Sequence, residues 1–254
     1  MITKEQLLDV GRIKKLNKGQ AEKDYLIDVI LVSIASNSKD ELVFKGGTCL
    51  NRVYNMDRFS EDLDFTQTKG IDLEKLSERI IKDLSYFSIE ATAKQKKLYN
   101  SITTKFRIKG PLYTGDDKSQ TTLQMDVNTK STVIVKPESV RVSSLYPQIP
   151  STLVLAMHKK EILAEKIRAL LTRAKARDLY DIHYLLSIKT PLDRKLLEEK
   201  LEYYKETPDL QKIEKAIHNM QNQWSREMKM LTRNPPEYSE VAAHVLTKLK
   251  KGLS

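Results

Sequence analysis

Two aspartates separated by one apolar residue are the side chains of this sequence best suited to chemistry. The stretch is Asp62-Leu63-Asp64, and a second apolar residue, Phe65, follows it. This pattern is typical of a strand that enters a core, where alternate side chains share one face roughly 6.5 Å apart. Two carboxylates so placed can hold Mg²⁺ ions, which take oxygen ligands and commonly carry substrate phosphates. The pattern therefore indicates an enzyme that handles nucleotides.

A third acid on a neighbouring strand would complete such a metal site, and Asp126 is the candidate. It lies in the alternating stretch Gln124-Met125-Asp126-Val127-Asn128, which predicts a strand with Asp126 on its polar face. The third carboxylate would hold the catalytic ion or take the proton of the attacking hydroxyl. The alternative for Asp62 and Asp64 is a pair of edge-strand acids, which the cost of unpartnered carboxylates in a strand disfavours. Asp126 taken alone is also open to a structural interpretation.

A glycine pair upstream of the acids, Gly46-Gly47, is a candidate phosphate site. We predict that a short helix follows from Thr48 to Tyr54, with Thr48 as its N-cap. Its first amides could bind a phosphate, and a missing Cβ would let the phosphate approach closely. The sequence contains neither a Walker GxxxxGK[ST] motif nor a dinucleotide-binding GxGxxG motif.

Arg58 and Ser60 precede the acids directly. The planar guanidinium of Arg58 could reach the oxygens of a triphosphate. Its alternative is a salt bridge to Asp57 or Glu61.

A basic helix is the second candidate region. From Met157 to Arg177 the chain has seven Lys or Arg and two Glu. At about 100° per residue, four cations fall on one stripe inside the apolar face of a helix, where a partner is required; they are Lys159, Lys166, Arg173 and Arg177. The partner is either a phosphate or a protein acid. Asp178 could cap the next helix or pair with Lys166 or Arg177, and Asp181 could act on an acceptor or a metal.

The elements around these residues predict the α+β class. Before residue 150 we predict helices at 19–36, 48–54 and 71–87 and strands at 41–45, 63–65, 88–93, 101–109, 121–127 and 132–135, with a turn at 115–119. After Pro150 helical periodicity dominates, with helices at 157–177, 178–187, 191–205, 209–223 and 238–251. We therefore predict a mixed-sheet α+β domain at 1–150 and an α-helical domain at 151–254.

Composition places further bounds on location and partners. The net charge is +10, and a basic protein of 254 residues often binds a polyanion, usually RNA or DNA. One cysteine, Cys49, excludes an intramolecular disulfide, and the N-terminus shows no signal-peptide pattern. No apolar run approaches the roughly 18 residues of a membrane helix. We expect a cytoplasmic protein that makes no membrane contact.

Four stretches together resemble the motifs of the AbiEii/AbiGii nucleotidyltransferase toxin family. They are Lys45-Gly46-Gly47-Thr48-Cys49-Leu50, Arg58-Phe59-Ser60-Glu61-Asp62-Leu63-Asp64-Phe65, Glu161-Ile162-Leu163-Ala164-Glu165-Lys166-Ile167-Arg168-Ala169-Leu170 and Arg177-Asp178-Leu179-Tyr180-Asp181. The resemblance implies a polymerase-β-like nucleotidyltransferase core followed by a helical region. Members of the family are toxins of toxin–antitoxin or abortive-infection systems; some bind GTP, and related toxins add nucleotides to the 3′ end of tRNA.

The resemblance also implies roles for individual residues. Gly46, Gly47 and Thr48 would line the phosphates of an NTP, with Arg58, Ser60 and Arg177 as further nucleotide-binding candidates. Asp62 and Asp64 would hold Mg²⁺, or Mn²⁺ as the alternative ion, and Asp126 is the third ligand. Lys166 would contact the triphosphate, and Asp181 is the further acidic residue of the family.

Three hypotheses follow. The first is a Mg²⁺-dependent nucleotidyltransferase acting on RNA, most favourably tRNA, with an antitoxin as its partner. The second shares the core but modifies a small molecule or a protein hydroxyl. The third is a non-catalytic RNA- or protein-binding module.

Overall fold

The computed structural model describes residues 2–253, and within this range the chain forms two compact units. The first contains residues 2–55, 59–133 and 137–156. The second contains residues 56–58, 134–136 and 157–253. None of the described helices is both long and apolar enough to cross a lipid bilayer.

The first unit is built on one mixed sheet of seven strands. The strands are β1 (Leu42–Lys45), β2 (Asp62–Gln67), β3 (Glu90–Lys97), β4 (Ser101–Lys109), β5 (Thr121–Asn128), β6 (Glu138–Val142) and β7 (Thr152–Ala156). Their order across the sheet is β3-β4-β5-β2-β1-β7-β6. β2 pairs in parallel with β5, and β1 in parallel with β7, while the other neighbours are antiparallel.

Four helices complete this unit: α1 (Lys4–Ile13), α2 (Lys18–Asn37), α3 (Gly46–Tyr54) and α4 (Leu73–Tyr86). α2 begins at a capping box in which Asn17 and Gln20 bond to each other's backbone amides. α2 and α4 pack against the sheet, and Gln95 Nε2 on β3 donates to the Leu73 carbonyl of α4. These helices cover the face that carries Leu63, Met125 and Phe106, all of which are buried.

A buried ion network joins α3 to α2. Arg52 of α3 donates from Nε to Asp28 and from Nη2 to Asp24, each at 2.7 Å. Tyr146 Oη also donates to Asp24, at 3.0 Å. Since a buried charge is tolerated only when it is paired, this network fixes the orientation of α3, the helix that begins with the glycine pair.

The second unit is helical. Its elements are α5 (Lys159–Arg173), α6 (Ala176–Ser187), α7 (Arg194–Glu202), α8 (Leu210–Asn219), α9 (Gln221–Leu231) and α10 (Tyr238–Leu253). Trp224 is buried, and its indole Nε1 donates to the Pro236 carbonyl at 3.0 Å. A mixed sheet with flanking helices, followed by a helical region, confirms the predicted α+β class.

Several predicted elements differ from the structure. The predicted helix 157–177 breaks at Ala174, which adopts a left-handed conformation with φ of +46°, and the predicted helix 209–223 breaks at Met220. The stretch 132–135 is not a strand, because the amides of Ile134 and Val135 donate to the buried carboxylate of Glu161. The sequence interpretation missed α1, β6 and β7, and β7 lies beyond the predicted boundary at residue 150.

Candidate active site

Three aspartates lie on one face of the sheet in the first unit. β2 and β5 run in parallel with Asp64 paired to Asp126 and Asp62 paired to Gln124. Paired residues on adjacent strands point to the same side, so all three carboxylates share the face opposite to the helix-covered core. Each of the three aspartates is partly exposed, whereas the intervening Leu63 and Met125 are fully buried. The alternation in the sequence is therefore the cause of this acidic face.

Two neighbouring side chains fix the orientation of Asp126. Thr103 of β4, its partner across the sheet, donates from Oγ1 to one carboxylate oxygen, and Gln124 donates from Nε2 to the other at 2.7 Å. Both carboxylate oxygens of Asp126 are therefore held by donors within the sheet, on the face that Asp126 shares with Asp64. Neither Thr103 nor Gln124 was among the predicted site residues, although their polar positions in alternating strands were visible.

Gly46 lies directly against the carboxylate of Asp64. Its φ is +74°, in the left-handed region that favours glycine, and a Cβ added here would lie 2.1 Å from Oδ2 of Asp64. Lys45, the residue before it, is paired with Asp64 across β1 and β2. The glycine turn is thus required both for the backbone conformation and for the position of the second aspartate.

Gly46 and Gly47 form the first turn of α3, so their amides belong to the end of the helix that attracts anions. The predicted N-cap, Thr48, is wrong, because the helix begins two residues earlier with Lys45 at the N-cap position. The Thr48 side chain is buried, and Oγ1 donates to the Asp62 carbonyl at 2.5 Å. Thr48 therefore holds the start of the acidic strand, and its hydroxyl is engaged there.

The chemistry of the acidic face fits a hard divalent cation, because all three side chains offer carboxylate oxygens. Across residues 2–253, however, no three carboxylate, imidazole or thiolate side chains are gathered closely enough to hold a metal ion. The expected cage of Asp62, Asp64 and Asp126 is thus present as three ligands on one face and not as a preassembled cluster. A bound ion would have to draw their side chains together.

A second cluster of charged residues lies in the second unit. Arg58 donates from Nε to Oδ1 of Asp181 at 2.6 Å and from Nη2 to Oδ2 at 2.8 Å. Lys166 Nζ lies 2.7 Å from Asp181 and 3.3 Å from Asp178. Arg173 completes the cluster with two hydrogen bonds to Asp178. The cluster ties α5, α6 and the segment 56–58 together.

The cations of this cluster keep both of its aspartates ionised. Burial by itself would raise the pKa of Asp178, but Lys166, Arg173 and Arg177 lower it to about 2. Burial opposes ionisation of Asp181 as well, and the charges of Arg58 and Lys166 outweigh it, so the pKa of Asp181 is also lowered.

The structure shows acidic partners for two of the four cations of the basic helix. Lys166 and Arg173 pair with protein acids, which was the alternative to a phosphate partner. Asp178 does not cap α6, whose N-cap position is occupied by Lys175. Arg58 pairs with Asp181, which was not among its expected partners, Asp57 and Glu61, and Asp57 accepts a hydrogen bond from Tyr180.

Comparisons with known proteins agree with this fold. The family model described as "Nucleotidyl transferase AbiEii toxin, Type IV TA system" matches residues 29–247. No curated protein sequence matches the chain.

Among solved structures, MenT4, a nucleotidyltransferase toxin from Mycobacterium tuberculosis H37Rv, superposes with a TM-score of 0.64 at 17% identity, covering 98% of this chain and 89% of that one. JHP933 from Helicobacter pylori superposes with a TM-score of 0.59 at 19% identity, covering 94% and 93%. A structure described as a putative nucleotidyltransferase from H. pylori gives 0.59 at 19% identity, covering 94% and 96%. At these identities the structural likeness shows the fold.

Proposed function

Because this chain belongs to the AbiEii nucleotidyltransferase toxin family of type IV toxin–antitoxin systems, we propose that it transfers a nucleoside monophosphate from an NTP to the 3′ end of tRNA. The observation that carries the proposal is the pairing of Asp64 with Asp126 on one sheet face, with Gly46 packed against Asp64. The family implies an NTP substrate, usually with a divalent metal, and an antitoxin partner. The tRNA acceptor, Mg²⁺ and the cytoplasmic location are our proposals.

In the proposed reaction the 3′ oxygen of the acceptor attacks the α-phosphorus of the NTP. A bond forms between these two atoms, the bond from the α-phosphorus to the bridging oxygen breaks, pyrophosphate leaves, and the proton of the attacking hydroxyl passes to solvent water. Asp62, Asp64 and Asp126 would hold Mg²⁺, with Mn²⁺ as the alternative ion. When bound, the ion would offset the charge that develops on the phosphoryl oxygens and lower the pKa of the attacking hydroxyl.

In this reaction the protein holds the triphosphate and the metal-binding aspartates in position. The amides of Gly46 and Gly47 are proposed to bind the triphosphate at the start of α3. Thr48 anchors the Asp62 backbone, while Thr103 and Gln124 orient Asp126. Such supporting bonds hold catalytic groups in place before the substrate arrives, which is a large part of catalysis in phosphoryl transfer.

Five predicted residues keep their proposed roles on the strength of the family resemblance. Lys166 is proposed for the triphosphate, Asp181 as the further acid, and Arg58, Ser60 and Arg177 for nucleotide binding. Within the second unit, Asp181 and Lys166 form an ion pair with each other. Asp181 therefore also acts as a positioning residue for the Lys166 ammonium.

Transfer of labelled nucleotide tests the proposal. The chain is incubated with Mg²⁺, tRNA and each of the four labelled NTPs in turn, with and without EDTA. We expect label on the 3′ end of the RNA, and we expect Asp64→Asn to reduce transfer by about a thousandfold, because several kcal/mol of charge stabilisation are lost.

Glu61→Gln is the matched control, since it removes a neighbouring carboxylate that pairs with Lys23 outside the acidic face. Failure of every nucleotide to label RNA would contradict the proposed acceptor. Label on a small molecule or a protein, with transfer insensitive to salt, would favour the second hypothesis, because polyanion binding weakens steeply with salt.

A further inference from the structure

The acidic face of the sheet continues into a group of exposed cations on the two strands beyond β5. On β4, Lys105 is paired with Gln124 and Arg107 with Thr122 of β5. On β3, Lys94 is paired with Lys105, and Lys96 with Thr103. Since paired residues share a face, these cations lie on the same side of the sheet as Asp126. We call Lys94, Lys96, Lys105 and Arg107 the basic face.

One cross-strand row connects the two regions. It runs from Lys96 on β3 through Thr103 and Asp126 to Asp64 on β2 and Lys45 on β1. With strands about 4.8 Å apart, Lys96 begins about 10 Å from Asp126, measured between backbones. The basic face therefore starts about 10 Å from the proposed reaction centre and leads away from it.

All four side chains are exposed, and among residues 2–253 none of them forms an ion pair with a carboxylate. At the far end of the same two strands, Lys109 is neutralised by an ion pair with Glu90, its partner across the sheet. Lys94 and Lys105 are directly opposite each other, and like charges in this position destabilise a sheet. The fold therefore tolerates a repulsion that a bound anion would relieve.

Protection of a sheet edge explains only part of this pattern. β3 is an edge strand, where lysines commonly prevent strand addition. β4 is an interior strand, paired on both sides, so Lys105 and Arg107 protect no edge. Edge protection therefore does not explain why Lys105 and Arg107 are cationic.

The turn between β3 and β4 adds an aromatic group to the cations. Tyr99 is 86% exposed, and Lys130 Nζ lies 4.6 Å from the centroid of its ring. An exposed ring beside cations is the arrangement on which unpaired bases stack in proteins that bind single strands. Lys97, also exposed, lies on the last position of β3.

We propose that the basic face binds the phosphodiester backbone of the RNA acceptor and directs its 3′ end toward Asp126, with Tyr99 stacking against a base. This inference rests on the proposed function, because it assigns the acceptor surface of the same site. RNA is favoured over an acidic protein because the cations are spaced along two strands with an exposed aromatic ring at one end, which matches a repeating anion that carries planar bases.

The test measures RNA binding without NTP, so that chemistry plays no part. Fluorescence anisotropy of a tRNA transcript labelled at its 5′ end is recorded over a range of salt concentrations. The test variant carries Lys94→Thr, Lys96→Thr, Lys105→Thr and Arg107→Thr, which keep β-forming residues on both strands. We expect its affinity to fall by at least tenfold and the slope of log K against log salt to decrease by about 3, as for four lost phosphate contacts.

The matched control removes four exposed cations from other surfaces of the same unit, by Lys75→Gln, Arg79→Gln, Lys82→Gln and Lys118→Gln. Three of these lie on α4, which packs on the opposite face of the sheet. This control should bind RNA as the unchanged protein does. A charge-preserving variant, Lys94→Arg, Lys96→Arg, Lys105→Arg and Arg107→Lys, should retain binding, which separates loss of charge from loss of folding. Tyr99→Ala should weaken binding by about fivefold.

The inference is overturned if the control and the test variant lose affinity equally, or if neither does. It is also overturned if the basic face is needed to bind an acidic protein and not RNA. A distinct outcome is possible for the proposed function: RNA binding that depends on the basic face, without any label transfer, would remove the proposed reaction and leave the RNA surface in place.

Discussion

Gly46 and Asp64 show how single residues define the candidate site. The glycine combines a left-handed φ with a side-chain position already taken by the carboxylate of Asp64. Thr48 and Thr103 act in a similar local way, one on the Asp62 carbonyl and one on the Asp126 carboxylate. At this scale the site consists of side chains whose positions are set by immediate neighbours.

Gly46→Ala should therefore disable the enzyme without unfolding it. The added Cβ must displace Asp64, and we expect label transfer to fall by about a hundredfold, with a loss of about 1–2 kcal/mol of unfolding free energy from backbone strain. Label transfer and urea denaturation measure the two effects. Gly115→Ala is the control, because Gly115 also has a positive φ, of +97°, but no atom within 4 Å of an added Cβ. Equal activity losses in both variants would contradict the role given to Asp64.

At the scale of elements, buried charge networks set the positions of the helices. Arg52 joins α3 to α2 in the first unit, and Asp178 and Asp181 join α5 to α6 in the second. The break at Ala174 permits the second network, because it lets Arg173 at the end of α5 contact Asp178 in the first turn of α6. Each network holds its helices together with paired charges. Its contribution to the free energy of unfolding therefore depends on pH.

The pKa of Asp178 predicts one such dependence. Its value in the folded protein is about 2, below its ordinary 3.8. A lowered pKa stabilises the fold above the ordinary value, and this stabilisation is lost as the pH falls from about 4 to 2. The loss should be about 2 kcal/mol. Urea denaturation at a series of pH values measures it.

In that experiment Asp178→Asn should reduce the slope of the pH profile over this window, whereas Glu78→Gln, which removes an exposed carboxylate from α4, should follow the unchanged protein. A profile for Asp178→Asn that keeps its full slope would show that other groups cause the acid sensitivity.

In the whole molecule, the positively charged side chains are found in two different environments. Some of these side chains, such as Lys166 and Arg173, form ion pairs with buried aspartates. Others stay unpaired on the sheet surface beside the acidic face, in the basic face of β3 and β4. The net charge of +10 therefore does not by itself identify the surface that binds a polyanion.

Growth arrest in bacteria tests whether the molecule acts as an enzyme or as a binding module. If toxicity requires nucleotide transfer, Asp62→Asn should abolish growth arrest on induced expression, because a carboxylate proposed to hold the metal is lost. Colony counts after induction, with equal protein levels on a blot, measure the effect. Toxicity that persists in Asp62→Asn would favour the non-catalytic module.

The sequence by itself determined the class of fold, the acidic strands and the family. Alternation around Asp64 and Asp126 and the glycine pair are local patterns, and local patterns specify which face of a strand is polar. The strand register and the partners of the charged side chains were decided only by the tertiary structure. Arg58 meets Asp181 across 123 positions of sequence, and Lys105 reaches the acidic face only because β4 pairs with β5. No local period encodes such contacts, because they depend on which elements the burial of apolar surface brings together.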